Sequence, residues 1–229
     1  MRDTFQDELD QVGNQLVEMS NLAGSAMARA TTALMDADVQ LAESVIAADE
    51  TIDAIRADIE RQAFELLARQ QPVATDLRIV VTALQMAMDL ERMGDLSAHI
   101  AKIARMRYPQ RTLPQPVRPV ILEMAQIAER IVAKAGSTIA ARDVERAHEL
   151  EKDDNNMDAL HRELFQILLA DSWPAGIESA IDVTLLGRYY ERFADHAVAV
   201  ARRVVYIVTG ELPTGSNGPA ATTSTADLS

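Results

Sequence analysis

The chain of 229 residues is acidic, with 22 Lys and Arg against 35 Asp and Glu and a net charge of −13. Because phosphate contacts need clustered basic side chains, this balance disfavours direct binding to nucleic acid or to an anionic membrane surface. The sequence contains no cysteine, which excludes disulfides, iron–sulfur clusters and thiolate zinc sites. The N-terminus is acidic where a signal peptide would be apolar, and no apolar run approaches the roughly 20 residues needed to span a bilayer. We therefore expect a soluble, cytoplasmic protein without membrane insertion.

Breaks in helical periodicity predict six helices. Aromatic residues make up only 4% of the chain, which disfavours a sheet and favours long helices. Asp38 and Asp143 are placed to cap the second and fifth helices, and four prolines between 108 and 119 form a linker after the third. Residues 210–229 are predicted to be a disordered tail. The predicted helices end near Met35, Gln70, Arg107, Ala141, Ala170 and Thr209.

The two halves of the chain resemble each other. At an offset of 105 residues, Asp38-Val39 aligns with Asp143-Val144, and at an offset of 100 residues Glu91-Arg92 aligns with Glu191-Arg192. Matches in the same order along three helices predict an all-α tandem duplication of a three-helix bundle, with repeats at 1–110 and 111–209. The change of offset gives the first repeat five extra residues, which we expect in the loop around 71–75.

Pairs of acidic residues four positions apart occur at equivalent places in both repeats. On the third helix, Glu91 and Asp95 continue a row of apolar residues that is predicted to pack into the core. The sixth helix carries a similar row, which Glu191 and Asp195 continue. These rows begin with Leu77, Val81, Leu84 and Met88 and with Ile177, Ile181, Thr184 and Arg188. The four pairs are Asp49/Asp53, Glu91/Asp95, Asp154/Asp158 and Glu191/Asp195.

Four carboxylates on adjacent helices would repel one another. Like charges four residues apart destabilise a helix by about 0.2–0.5 kcal/mol, and burial costs several kcal/mol more unless a partner is present. Oxygen ligation suits Mg²⁺, Ca²⁺, Mn²⁺ or iron, so each repeat is predicted to hold a metal site. Further ligands could come from Asp89, Asp153, His99 and His161. In the alternative interpretation, the acids form ordinary salt bridges with Arg56, Arg92, Arg188 or Arg192, and the protein is a metal-free helical scaffold.

These motifs resemble those of the PhoU family, the phosphate-specific transport system accessory proteins. The resemblance rests on Glu91-Arg92-Met93-Gly94-Asp95, on Glu191-Arg192-Phe193-Ala194-Asp195 and on the two aspartate pairs, and it covers about residues 1–210. The segment from Gln71 to Arg78 is also similar to the family's loop into the third helix. Ala194 departs from the glycine that the family often has there.

The resemblance implies a cytoplasmic negative regulator of phosphate uptake and of the phosphate-starvation response. Such a protein would be an adaptor between the ATP-binding subunit of the phosphate ABC transporter and a sensor histidine kinase. It would often be a homodimer, with iron or other metals at the acid motifs. Nucleotide-binding, hydrolase-elbow and zincin motifs do not occur in the sequence, which favours a non-enzyme. The alternative is a di-metal carboxylate enzyme acting on oxygen or a phosphoester, but its usual Glu-x-x-His pair does not occur on the third and sixth helices.

Overall fold

A computed structural model of the chain describes residues 2–70 and 72–211, and over that range it is helical without strands. The predicted all-α fold with six long helices is confirmed. Residues 212–229, most of the tail that we predicted to be disordered, lie outside the described residues. The helices are α1 (Arg2–Asp36), α2 (Val39–Gln70), α3 (Thr75–Arg107), α4 (Arg118–Ala141), α5 (Val144–Leu168) and α6 (Gly176–Thr209), and a 3-10 turn (Gln115–Val117) leads into α4.

Both predicted aspartate caps are present. The Asp143 carboxylate accepts a hydrogen bond of 3.1 Å from the backbone N–H of Arg146, at the start of α5. Asp38 accepts one of 2.9 Å from the backbone N–H of Leu41, at the start of α2. These contacts satisfy N–H groups that have no partner within the helix, and they explain why α2 and α5 begin at equivalent residues.

The five extra residues of the first repeat extend α2, so the expectation that they enlarge the loop around 71–75 is wrong. α2 has 32 residues, whereas α5 has 25. The extra turns continue the buried stripe of the helix through Ala63 and Leu66, which pack with Phe5 and Leu9 of α1 in a small second core. Burial of this apolar stripe stabilises the longer helix relative to an exposed loop.

The two repeats share one core. Each helix contacts the other two of its own repeat, and α1 also contacts α4 while α3 contacts α6. Buried residues from all six helices form one continuous cluster. At its centre, the fully buried Tyr190 of the second repeat and Thr31 of the first form a hydrogen bond of 2.7 Å through their hydroxyl groups.

The apolar rows that we predicted to enter the core are instead largely exposed. Leu77, Val81 and Met88 of α3 have exposed fractions of 41%, 42% and 59%, and Ile177 and Ile181 of α6 reach 81% and 55%. The buried face of α3 is the neighbouring row, which contains Val80, Ala83, Ala87, Leu90 and Gly94. Small residues on this row let three helices pack around α3, so the acids at the end of the exposed row lie at the edge of the core.

Candidate metal centre

The four acids of the first repeat lie where α2 faces α3. Asp49 is partly buried, and its Oδ1 lies so close to Gly94 that a Cβ built on that glycine would be 2.9 Å away. The pKa of Asp49 is raised to about 6, first by burial and then by the negative charges of Asp95, Asp53 and Glu91, against an opposing effect of Lys102. The carboxyl groups of both predicted pairs therefore lie close enough for the other three to raise the pKa of Asp49.

Nearby arginines neutralise this cluster only in part. Arg92 donates a hydrogen bond of 2.8 Å to Asp95, but its side chain is 62% exposed, and Arg56 pairs with Glu60 at 3.1 Å. An exposed ion pair of this kind contributes about 0–1 kcal/mol. The pKa of Glu91 is raised by burial and by Asp95, although Arg92 and Arg56 oppose that rise. Arg92 also lies 3.9 Å from Glu91, so the salt-bridge interpretation applies to Asp95 and more weakly to Glu91, whereas Asp49 has no such partner among the described residues.

The second repeat reproduces the arrangement between α5 and α6. The pKa of Asp154 is raised to about 6, first by burial and then by Asp195, Asp158 and Glu191, against an opposing effect of Arg202. The Oδ1 atom of Asp154 is buried and accepts no hydrogen bond from the residues that the structure describes. Burial also raises the pKa of Asp195 and of Glu191, the second of which pairs with Arg188 of its own helix.

The two candidate histidine ligands differ in their surroundings. His161 lies against Gly187 of α6, its Nε2 is buried, and no described residue bonds to that atom. Its pKa is lowered by burial and by Arg188, against the effects of Asp158 and Asp195, so a neutral ring faces the acid cluster. His99 instead stacks on Tyr189 at 5.3 Å between ring centroids. His161 is the better placed of the two for a ligand.

The chemistry of both clusters fits a divalent cation. Oxygen donors dominate, one buried carboxylate oxygen has no partner, and the mutual repulsion of the acids would be relieved by positive charge. Across residues 2–70 and 72–211, however, no group of three or more Asp, Glu or His side chains is arranged as a ready metal site. Metal binding at the eight acids, with His99 or His161 as an additional ligand, therefore stays a prediction.

Three further buried acids pair with basic side chains, and two of them had been candidates for extra ligands. Asp153 accepts hydrogen bonds from Arg130 (3.3 Å) and Lys134 (2.8 Å), and Asp89 pairs with His196 (3.0 Å) and Arg203. Asp182, which the sequence analysis did not single out, accepts two bonds from Arg107, at 2.6 and 3.0 Å. Nothing in the local sequence pattern indicates these partners, because each comes from another helix.

Two tandem three-helix repeats that share one core, each with carboxylates between its second and third helices, define a duplicated all-α protein. None of the described helices is both long and apolar enough to cross a membrane. The sequence profile of the PhoU domain matches residues 16–104 on α1–α3 and 121–204 on α4–α6. The chain belongs to the PhoU family.

Its relatives match over nearly their whole length. The chain is 48% identical over 213 residues to the phosphate-specific transport system accessory protein PhoU homolog 2 of Mycobacterium tuberculosis, covering 93% of this chain and 100% of the relative. It is 47% identical over 219 residues to PhoU homolog 1 of Mycobacterium leprae, covering 96% and 99%. The crystal structure of PhoU from Pseudomonas aeruginosa superposes with a TM-score of 0.80 at 28% identity, over 90% of this chain and 100% of that one.

Proposed function

We propose that this protein is a cytoplasmic accessory protein of phosphate transport that restrains phosphate uptake and the phosphate-starvation response. It acts without catalysis, as an adaptor between the ATP-binding subunit of the phosphate ABC transporter and a sensor histidine kinase. Support comes from the family, whose relatives are named accessory proteins and align with this chain almost end to end.

The observation that carries the adaptor role is a pair of exposed apolar faces, one on each repeat. The α3 face consists of Leu77, Val81 and Met88, and the α6 face of Ile177, Ile181 and Leu185, all of them at least 41% exposed. Clustered exposed apolar side chains in a charged protein are typical of surfaces that bind other proteins. Duplication places two related faces on one rigid core, so two partners can bind at once.

The α6 face continues into an apolar groove of about 460 Å³. Phe165, Leu169 and Trp173 line the groove together with residues of the α6 face. Such a groove has the size of a pocket for large side chains of a partner. Beside the α3 face lie Arg78, Arg202 and Tyr206 instead of such an apolar groove. We therefore assign different partners to the two faces.

We also propose that the acid clusters bind divalent or trivalent cations, such as iron, manganese, magnesium or calcium. The carboxylates of α2 and α3, and those of α5 and α6, would then attract a common ion instead of repelling one another. The bound charge would brace each pair of helices directly beside the corresponding apolar face. A homodimer is the expected assembly, and light scattering coupled to gel filtration measures it.

Pull-down of the two partners tests the adaptor role. The paired changes Leu77→Ser with Val81→Ser, and Ile177→Ser with Ile181→Ser, remove the apolar character of one face at a time without altering charge. Each double variant should lose one partner and keep the other, and both should derepress phosphate-uptake genes in the cell. The control is Leu122→Ser, because Leu122 is 47% exposed on α4, outside both faces. Retention of both partners by both double variants would contradict the adaptor role.

A further inference from the structure

A groove of about 600 Å³ lies between the N-terminal half of α3 and the C-terminal half of α6, at the junction of the two repeats. Three arginines line it, which is unexpected in a protein with a net charge of −13. Its lining includes Arg78, Arg202 and Arg203 together with Leu77, Val81 and Tyr206. The groove is therefore a positively charged pocket with an apolar wall.

Two of these arginines are held in place by carboxylates. Arg203 pairs with Asp89 and donates a hydrogen bond of 3.4 Å to Gln85, whereas Arg202 donates to Glu151 at 3.2 Å. Asp89 is largely buried, and Glu151 lies on α5. The partly buried contact with Asp89 holds Arg203 at the groove, whereas the exposed pair with Glu151 holds Arg202 more weakly, and both guanidinium groups keep N–H donors for a ligand.

The third arginine pairs with no carboxylate in the described part of the chain. Arg78 donates a hydrogen bond of 3.1 Å to the carbonyl of Ile207, and its guanidinium lies over the ring of Tyr206, 5.7 Å from the centroid. Its Nε is buried and bonds to no described residue. The guanidinium also lies beside Gly210, where a Cβ would be 2.8 Å from Nη1. Among the described residues, the three arginines of the groove thus form ion pairs with only two carboxylates, Glu151 and Asp89.

Because the repeats are duplicated, the contact between α3 and α6 at the other end of these helices can be compared with the groove. There the arginine is neutralised by carboxylates of the protein. At the offset of 100 residues, Glu178 and Asp182 of α6 are the equivalents of Arg78 and Thr82 of α3. At that second junction both carboxylates bind Arg107, from the end of α3. At the groove, the two equivalent positions are occupied by the Arg78 cation and the Thr82 hydroxyl instead. The second junction thus has carboxylates of the protein at positions where the groove has none.

We propose that the groove binds a phosphate-bearing anion, either inorganic phosphate or a phosphate ester. Guanidinium groups match the oxygens of phosphate in geometry and charge, and converging arginines are typical of phosphate sites. A pocket of this volume accommodates a whole small molecule, and the ring of Tyr206 with Leu77 and Val81 would contact the organic part of an ester. The groove is separate from the acid clusters, but it shares Leu77 and Val81 with the α3 face. The test below therefore changes the arginines of the groove and leaves that face intact.

Calorimetric titration of the full chain at low salt, without divalent metal, tests the proposal with inorganic phosphate and AMP as separate probes. We expect saturable binding at one site. Arg78→Gln and Arg202→Gln should each weaken it about tenfold, the effect of losing one charge-assisted hydrogen bond. The matched control is Arg162→Gln, an equal change of charge at an exposed position on α5, which should leave the affinity unchanged.

The two probes distinguish the sources of the phosphate group. Tighter binding of AMP identifies an ester as the ligand, and equal or tighter binding of inorganic phosphate identifies the free anion; both support the site. Absence of saturable binding for both probes would overturn the proposal. So would an equal loss of affinity in Arg162→Gln and Arg78→Gln, because binding would then follow net charge alone. Circular dichroism of each variant confirms that it is folded.

Discussion

Replacing Asp49 with Asn should stabilise the metal-free protein at neutral pH. The substitution keeps the size of the side chain but removes a charge that burial and three neighbouring acids oppose. An increase in pKa from 3.8 to about 6 corresponds to about 3 kcal/mol for a fully enclosed carboxyl. Because Asp49 is only partly buried, solvent screening reduces the expected gain to about 1 kcal/mol. For a domain of this size, that is a rise in melting temperature of about 2–4 °C.

The stabilisation by Asp49→Asn should depend on pH. The folded state holds the Asp49 proton up to a higher pH than the unfolded chain does, so ionisation of this group opposes folding. Its favourable contribution is fully present below about pH 3.8 and is lost as the pH rises through about 6. The difference between Asp49→Asn and the unchanged protein should therefore be largest above pH 7 and should vanish near pH 4.

Thermal unfolding in the presence of a chelator, measured from pH 4 to pH 8, is the assay. Asp154→Asn should behave in the same way, because the pKa of Asp154 is also raised to about 6. Glu43→Gln is a suitable control, since Glu43 is an exposed acid on α2. A lower melting temperature for Asp49→Asn at pH 7.5, or a gain that does not change with pH, would refute the reasoning.

Three other substitutions test how the helices pack. Gly94→Ala should destabilise the protein by about 1 kcal/mol in chemical denaturation, because the new Cβ would lie 2.9 Å from the side chains of Asp49 and Ile52 and force them aside, which outweighs the helix propensity of alanine. An unchanged midpoint would show that both side chains move aside at little cost. Asp182→Asn should lower the free energy of unfolding in urea by about 2–4 kcal/mol, because Arg107 loses a buried charged partner between the repeats. A decrease of less than about 0.5 kcal/mol would contradict that role. Tyr190→Phe should lower stability by about 1 kcal/mol through loss of its buried hydrogen bond to α1, and a stability equal to that of the unchanged protein would show that this bond contributes nothing.

The helices and the acid clusters could be predicted because their signals are local or repeated. Asp143 as a cap and the prolines after Tyr108 mark helix ends within a few residues. The acid pairs occur at the same place in both repeats, and burial, followed by the neighbouring acids, raises the pKa of Asp49 and of Asp154. That these carboxylates bind cations stays a prediction.

The buried face of α3 could not be predicted in the same way. This helix contacts α1, α2 and α6, so apolar residues occur around most of its circumference, and the row through Leu77 and Val81 has a helical spacing as regular as that of the buried row. Contacts between residues far apart in the sequence could not be predicted either. Arg107 and Asp182 are 75 residues apart, and only the packing of the two repeats brings them together.

Elemental analysis of protein purified without chelator most directly tests the claim that the duplicated carboxylates are cation sites. We expect bound metal in the unchanged protein. Glu91→Ala with Asp95→Ala should remove the share held by the first repeat, and Glu191→Ala with Asp195→Ala should remove the share held by the second. Protein without bound metal, or metal content that neither double variant lowers, would show that these carboxylates are not cation sites.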